Sequence, residues 1–425
     1  MMSRKLLHLL SLLVITLTVV SVTTFIVPNK NLERRSADPG KTLDDYYTES
    51  QSFKKTTLTR HEPRTVTFLA VGDISLSRGI AQKIKTKQDP LHPFRGMGEL
   101  LLSTDFNFGN LETPFSHSDA FNPDKTMVFN APKPNVAGLA AYRFAVLNLA
   151  NNHALDQGLD GVRTTAQVLD QNGLLHMGTG STLEEAWKPA VIEKNGIKIG
   201  FIGASYASIN DGGKSTNNYV ARIEDVEHLK TTVYKLKTTT DFIVVTMHAG
   251  TEYTTTPNDA QIKFAHAAVD AGADMVIGAH PHWIQEKELY CPRHDEAAAE
   301  TVPTQRTMPK QNGDILDGQL HSTSSSLASP ALPINCKPIY YSLGNFIFDQ
   351  SWSEPTKKGL ALKITLSKSG PPTNPPSSSS PNNTATLTDL QPAGGGQTSG
   401  TAIDFIEEIP IYIKDNCCPT VQTQK

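Results

Sequence analysis

Between Val66 and Tyr290 the chain alternates short apolar runs of β type with segments of helical periodicity. That alternation confines it to an α/β architecture, because neither an all-helical nor an all-strand chain switches between the two periods so regularly. The β-type runs are Val66–Val71, Phe144–Leu149, Ile197–Gly203, Phe242–Met247, Met275–Ile277 and Ile339–Leu343. Asn258 to Ala271 reads as a helix. Ile262, Ala265 and Val269 share a face, Asn258 caps the start and Gly272 stops the end. A second helix is expected over Val162–Gln171.

Polar residues gather where the apolar runs stop. Asp73 follows the first run; Asn110 and Glu112 follow a short alternating one; Asn151, Asn152, His153 and Asp156 come after a third. His248 and Glu252 follow FIVVTM, and His280 and His282 follow DMVIGA. Ligands of α/β sheets collect at the carboxyl ends of strands, and here five strand ends each supply a residue of ligand type. Each has a bland alternative. Asp73 can cap a turn, Asn151 and Asn152 can build one, Glu112 can sit on the surface, and His248 can be a buried neutral imidazole. The pair His280 and His282 resists dismissal, since both rings can face one ion if the backbone kinks between them. A mixed carboxylate, amide and imidazole set suits Mn, Zn or Fe better than Ca or Mg. It can hold one divalent ion or two, and two would activate a water and clamp an oxyanion. His153, outside that ligand set, is then the candidate catalytic proton donor. His117, His176, His228 and His266 lack such a setting and read as structural or surface.

The remaining sequence bounds the context. Leu6 to Val27 is apolar or hydroxylic apart from His8, long enough to span a bilayer, and Arg4 and Lys5 precede it. Residues 1–28 therefore read as a transmembrane signal anchor, with a cleaved signal peptide as the competing reading. Residues 29–64 read as a polar stalk. Either way the domain, taken as residues 65–415, is expected outside the cytosol at the cell membrane, followed by a tail over 416–425. The net charge of −3 offers no basic face, which argues against nucleic acid as a partner.

Residues 292–333 and 369–400 are rich in Ser, Thr, Pro, Gly and Gln and read as disordered insertions. Cys291 and Cys336 bracket the first, and a bridge between them would close it off as a loop in a disulfide-permitting compartment. Cys417 and Cys418 are neighbours, and neighbouring cysteines are expected to stay free or to pair elsewhere. The run AIDFIEEIPIYI reads as a strand pair returning to the domain.

Six segments in this order resemble the bacterial capsule-synthesis CapA (poly-γ-glutamate synthesis) family, related to calcineurin-like metallophosphatases. They are Gly72–Gly79, Gly109–Pro114, Asn148–Gly158, Met247–Tyr253, Gly278–Gln285 and Tyr341–Gln350. The resemblance implies a four-layer α-β-β-α sandwich. It matches Asp73 to the first metal-binding aspartate, Asn152 and His153 to the Asn-His element, and His248, His280 and His282 to the remaining metal histidines. Two departures matter. Ser75 stands where the metallophosphatase pattern has histidine, and Gly109–Glu112 replaces its Gly-Asp, making Glu112 the candidate bridge. Asn345 and Asp349 belong to the family signature and are expected to position a loop at the site rather than to bind metal.

Three functions follow as expectations. One is an accessory component of synthesis or export of an anionic polymer such as poly-γ-glutamate. The second is a metal-dependent hydrolase of phosphoesters or of an amide-linked polymer. The third is a non-catalytic scaffold stabilised by its metal. The glycine-rich AGGGQTSG lacks the strand, helix and lysine of a phosphate loop. An ATP-dependent ligase that makes the polymer would be another subunit.

Overall fold

The computed structural model describes residues 64–116, 128–208, 218–292, 305–307, 336–369 and 400–422. All described residues fall within one compact unit, Glu62–Lys425. The expected anchor, nearly all of the expected stalk, His117 and most of both expected insertions lie outside the described residues. Among the described residues no helix is long and apolar enough to cross a membrane.

Four parallel strands open the first sheet: β1 (Arg64–Ile74), β2 (Phe106–Leu111), β3 (Phe144–Asn148) and β4 (Leu175–Met177). The second sheet begins with β5 (Ala190–Lys194), antiparallel to β6 (Ile197–Ser205). Two more strands, β7 (Phe242–His248) and β8 (Met275–Ala279), follow β6 in parallel. Its far edge is made by β9 (Lys287–Tyr290), β10 (Gln305–Thr307) and β11 (Lys337–Tyr340), where β11 is parallel to β8 and the other pairings are antiparallel. The chain then returns to the first sheet. There β12 (Asn345–Ile347) pairs with the end of β1, and β13 (Lys358–Lys368), β14 (Thr401–Lys414) and β15 (Cys418–Val421) build outward from its other side. The orders are β15-β14-β13-β1-β2-β3-β4 and β10-β9-β11-β8-β7-β6-β5.

Three apolar cores separate four layers. Between the sheets lie Phe68, Phe106 and Phe108 from one and Phe201, Val244 and Ile277 from the other. Phe108 stacks on Phe201 with centroids 5.2 Å apart, and such a pair adds about 0.5–1.5 kcal/mol beyond its buried area. Outside the first sheet, Leu69, Val71 and Leu147 pack on α1 (Arg78–Lys87), α2 (Gly98–Leu102), α3 (Val136–Ala141) and α4 (Gly158–Gln171). Outside the second, Val245 and Val276 pack on α5 (Leu183–Ala186), α6 (Val226–Lys237) and α7 (Asp259–Ala271). Strand β1 shows why the apolar runs are unbroken. Val66, Phe68 and Ala70 face the inter-sheet core while Leu69 and Val71 face the helices, so both sides of the strand are dry. Helix α7 carries the expected cap. Asn258 and Gln261 form a reciprocal capping box, and Gly272 ends the helix at φ +114°.

Four readings are corrected. AIDFIEEIPIYI lies within a single strand, β14, because its partner along the whole length is β13 rather than its own second half. Residues 418–421, read as tail, form the edge strand β15. Inside the expected disordered insertion 292–333, Gln305–Thr307 pairs with β9, a main-chain ladder that needs no apolar side chain. The structure joins Cys291 to Cys336 with Cα atoms 4.0 Å apart. It also joins Cys417 to Cys418, contrary to the expectation for neighbours.

Candidate metal centre

All the parallel strands end on one edge, and two glycines bring the ends close together. A Cβ on Gly72 would meet the Gly344 oxygen at 1.8 Å, and one on Gly278 would meet the Tyr341 oxygen at 1.9 Å. Gly72 directly precedes Asp73 and Gly278 lies two residues before His280, so segment 341–344 packs against both strand ends. Asp73 N–H then donates to the Gly344 carbonyl at 3.0 Å. After β8 the backbone turns left-handed twice, at His280 (φ +98°) and His282 (φ +57°), which supplies the kink that lets both rings point inward.

Asp73, Glu112, Asn152, His248, His280 and His282 are all buried and converge. Ligand atoms of Asp73, Glu112 and His282 lie within 4.8 Å of one another, and so do those of Glu112, His248 and His280. The two triads share Glu112. Glu112 itself is fully buried, and neither carboxylate oxygen has a hydrogen-bond partner. Around it stand His248 Nε2 at 3.7 Å, His153 Nε2 at 3.8 Å and His282 Nε2 at 4.0 Å. Burial holds the Glu112 carboxyl well above the usual carboxylate range, and the charges of Asp73 and Glu252 push it the same way. His248 and His280 are held well below the usual imidazole range, by burial first and then by neighbouring histidines. Neutral imidazoles are the metal-binding form.

The surrounding hydrogen bonds orient the ligands. Asn110 Nδ2 donates to Asp73 Oδ1 at 2.8 Å and to His248 Nδ1 at 3.0 Å, and its oxygen accepts from Asn148 Nδ2 at 2.8 Å. The His248 proton is therefore on Nε2, which donates to Asn152 Oδ1 at 2.8 Å. If these two atoms served as metal ligands, that bond would be given up. His282 Nδ1 donates to Asn345 Oδ1 at 2.8 Å, leaving Nε2 free as a ligand, the usual outer arrangement of metal histidines. His280 Nδ1 is buried without a partner. Three orphaned ligand atoms on two residues facing one another are costly unless a cation satisfies them, roughly 1–3 kcal/mol for each neutral group and more for a charged one. The residues present fit a divalent metal.

His153 stands apart from both triads. Its Nδ1 is 2.7 Å from Asp156 Oδ2, and its ring stacks on Phe129 with centroids 3.7 Å apart. Asn151 holds the turn beneath it by donating to the Leu111 carbonyl at 2.8 Å and accepting from His153 N–H at 3.1 Å. Ser75 is buried in a hydroxyl chain with Ser77 (3.2 Å) and Thr113 (2.9 Å), so nothing at this position replaces the missing histidine. Asn345 and Asp349 position neighbours: Asp349 pairs with Arg78 and accepts from the Gly79 N–H at 3.0 Å. Glu252 lies at the half-buried edge, near enough for its charge to act on Glu112.

Several residues of the site escape a reading by sequence. Arg78 is buried at the start of α1, with its guanidinium 4.4 Å over Phe129 and 5.5 Å over Phe348. Tyr253, Trp283 and Trp352 form an aromatic rim beside His282, with Trp352 exposed. Burial and then Glu252 push the Tyr253 hydroxyl up to about 12. Only the three-residue spacing of His153 and Asp156 offered a usable signal.

Residues 67–350 match the family model described as bacterial capsule synthesis protein PGA_cap. The chain belongs to that family. Within PGA_cap, it is 29% identical over 71% of its length to the PGA biosynthesis protein CapA of Bacillus subtilis, covering 67% of that protein. It is 27% identical over 73% of its length to the capsule biosynthesis protein CapA of Bacillus anthracis, covering 66% of it. The chain thus spans about two thirds of the length of these curated relatives. Among solved structures, the calcineurin-like phosphoesterase YfkN of Bacillus subtilis aligns with 84% of this chain and 93% of its own at 13% identity and a TM-score of 0.40, a likeness with no functional weight.

Proposed function

We propose that this PGA_cap member is a membrane-anchored, extracytoplasmic accessory component in the synthesis or export of an anionic polymer such as poly-γ-glutamate. In this reading the strand-end site carries one or two divalent cations, Mn, Zn or Fe by donor type. The observation that carries the metal part is the buried Glu112 carboxylate, orphaned at both oxygens between three imidazoles. When bound, the cation supplies positive charge that a carboxylate or phosphoryl oxygen can approach. Asp73 and Asn110 fix His248, Asn345 fixes His282, and the Phe129 ring holds His153 flat against the edge of the site. The anchor is Leu6–Val27, and polymer assembly draws on a separate ATP-dependent ligase.

The test is replacement of the CapA of a poly-γ-glutamate-producing bacillus by this full chain, with surface polymer and membrane-fraction content measured. Wild type is expected to restore polymer, and Glu112→Gln is expected to fail at equal abundance. Full restoration by Glu112→Gln would sink the metal-centred account.

A second reading, metal-dependent hydrolysis, is favoured by one specific pair. Asp156 accepts from His153 Nδ1–H, which leaves Nε2, on the Glu112 side, to hold and deliver a proton to a leaving group. Hydrolysis of a phosphoester or of poly-γ-glutamate by purified protein, lost in His153→Ala, is the expected sign. Absence of any turnover with both substrates removes this reading and leaves the first.

A further inference from the structure

A second cluster of soft ligands lies outside the strand-end site. Strands β14 and β15 are joined by a tight turn in which Asp415 (φ +52°) and Asn416 (φ +51°) are both left-handed and Cys417 N–H donates to the Lys414 carbonyl at 3.1 Å. The turn drives Cys417 fully into the core beneath the helices, with Cys418 half-buried beside it. Over this corner packs the 3₁₀ turn His92–Met97. The packing is close because Gly96 has no side chain: a Cβ there would meet the Pro419 oxygen at 2.4 Å. It brings His92 onto the cysteines. A His92 ring nitrogen and the two sulfurs lie within 4.8 Å of one another.

We propose that the reduced form of this corner binds one thiophilic d10 cation of the Zn2+ class through Cys417 Sγ, Cys418 Sγ and His92, leaving a fourth position open. Two thiolates and an imidazole are the donor set such ions favour. Two sulfurs on one tetrahedral zinc sit about 3.8 Å apart, so small side-chain movements close the cluster on an ion. In the structure the two sulfurs are joined to each other. Loading therefore needs reduction first: a phosphine takes up the oxygen of a water and becomes its oxide, and Cys417 and Cys418 gain the two electrons and the two protons of that water as their S–S bond breaks. The cation then displaces both thiol protons and takes both thiolates. Disulfide and ion exclude one another, so the corner is occupied by metal only in a reducing setting. The ion differs in kind from that of the strand-end site, whose donors are oxygen and nitrogen.

The probe is Cd2+ alone, whose thiolate charge-transfer absorption is silent for oxygen and nitrogen ligands. The full chain is reduced with a phosphine under anaerobic conditions and titrated, then Zn2+ is used to displace the signal. The expected result is one Cd2+ per chain, retained in Cys291→Ser/Cys336→Ser and absent in Cys417→Ser/Cys418→Ser. Since Cys417 is buried and its replacement can unfold the edge, the partly exposed His92→Gln provides a second variant. It is expected to weaken binding at least about 10-fold with the melting temperature of the ion-free protein unchanged. A signal that vanishes in Cys291→Ser/Cys336→Ser, or that is indifferent to His92→Gln, overturns the proposal.

Discussion

Glu112 and Glu288 are both buried glutamates carried by or just beyond a β-strand, and they are treated in opposite ways. Glu288, on β9, faces His266 Nε2 at 3.0 and 3.1 Å through its two oxygens and accepts the Tyr341 hydroxyl. His266 in turn stacks on Tyr290 with centroids 3.9 Å apart. Glu112, past β2, has three histidines around it and a hydrogen bond from none of them. Burial alone therefore does not mark function. A buried carboxylate with its acceptors filled ties elements together, whereas one left open amid neutral imidazoles is shaped for a cation.

The contrast can be broken most easily at the ion itself. Glu112→Ala should weaken Mn2+ or Zn2+ binding by more than about 100-fold in calorimetric titration, the loss expected of a direct ligand, while Glu288→Gln should leave it nearly unchanged. Equal effects would abolish the distinction. Next in size is stability. Glu288→Leu removes the acceptor shared by the His266 and Tyr341 side chains and should cost about 1–3 kcal/mol in urea unfolding of the ion-free protein. Asn345→Ala frees His282 Nδ1 and should lower ion affinity about 10–100-fold; because it also removes the donor to the buried Thr356 carbonyl, ion-free stability should fall by about 1–3 kcal/mol.

The smallest effect is on pH dependence. Folding raises the Glu112 pKa above its ordinary value of 4.5, so the folded chain keeps a proton that the unfolded chain has lost. Its contribution is full below pH 4.5 and is lost as pH rises from there through the folded value. Ion-free melting temperatures followed upward from pH 4.5 should therefore fall less in Glu112→Gln than in wild type. A steeper fall in the variant would reverse the sign and the assignment.

Much of this was open to reading because strands buried on both faces cannot hide a polar residue. Asp73, Glu112, His248 and His280 interrupt or end apolar runs, and their chemistry shows at once. Arg78 and Phe129 were illegible for the opposite reason. Arg78 opens a helix, where a cation looks like ordinary surface, and only the tertiary fold buries it between Phe129 and Asp349. The edge of the first sheet was misread because β14 alternates only weakly, and its register comes from β13. Cys417 and Cys418 gave no hint of His92, which lies more than 300 residues earlier and meets them only through Gly96.

The Cys291–Cys336 bridge has a practical reading. Strands β9 and β11 pair directly, and the bridge ties Cys291, just beyond β9, to Cys336, just before β11. The β9–β11 pairing is thus indifferent to how much chain is spliced in outside β10. Each doubling of that loop costs only about 0.6 kcal/mol in closure entropy. The bridge turns this edge into a port: a tag, a reporter or a whole foreign domain inserted between the two cysteines but outside β10 should be carried by the fold with the strand-end site undisturbed.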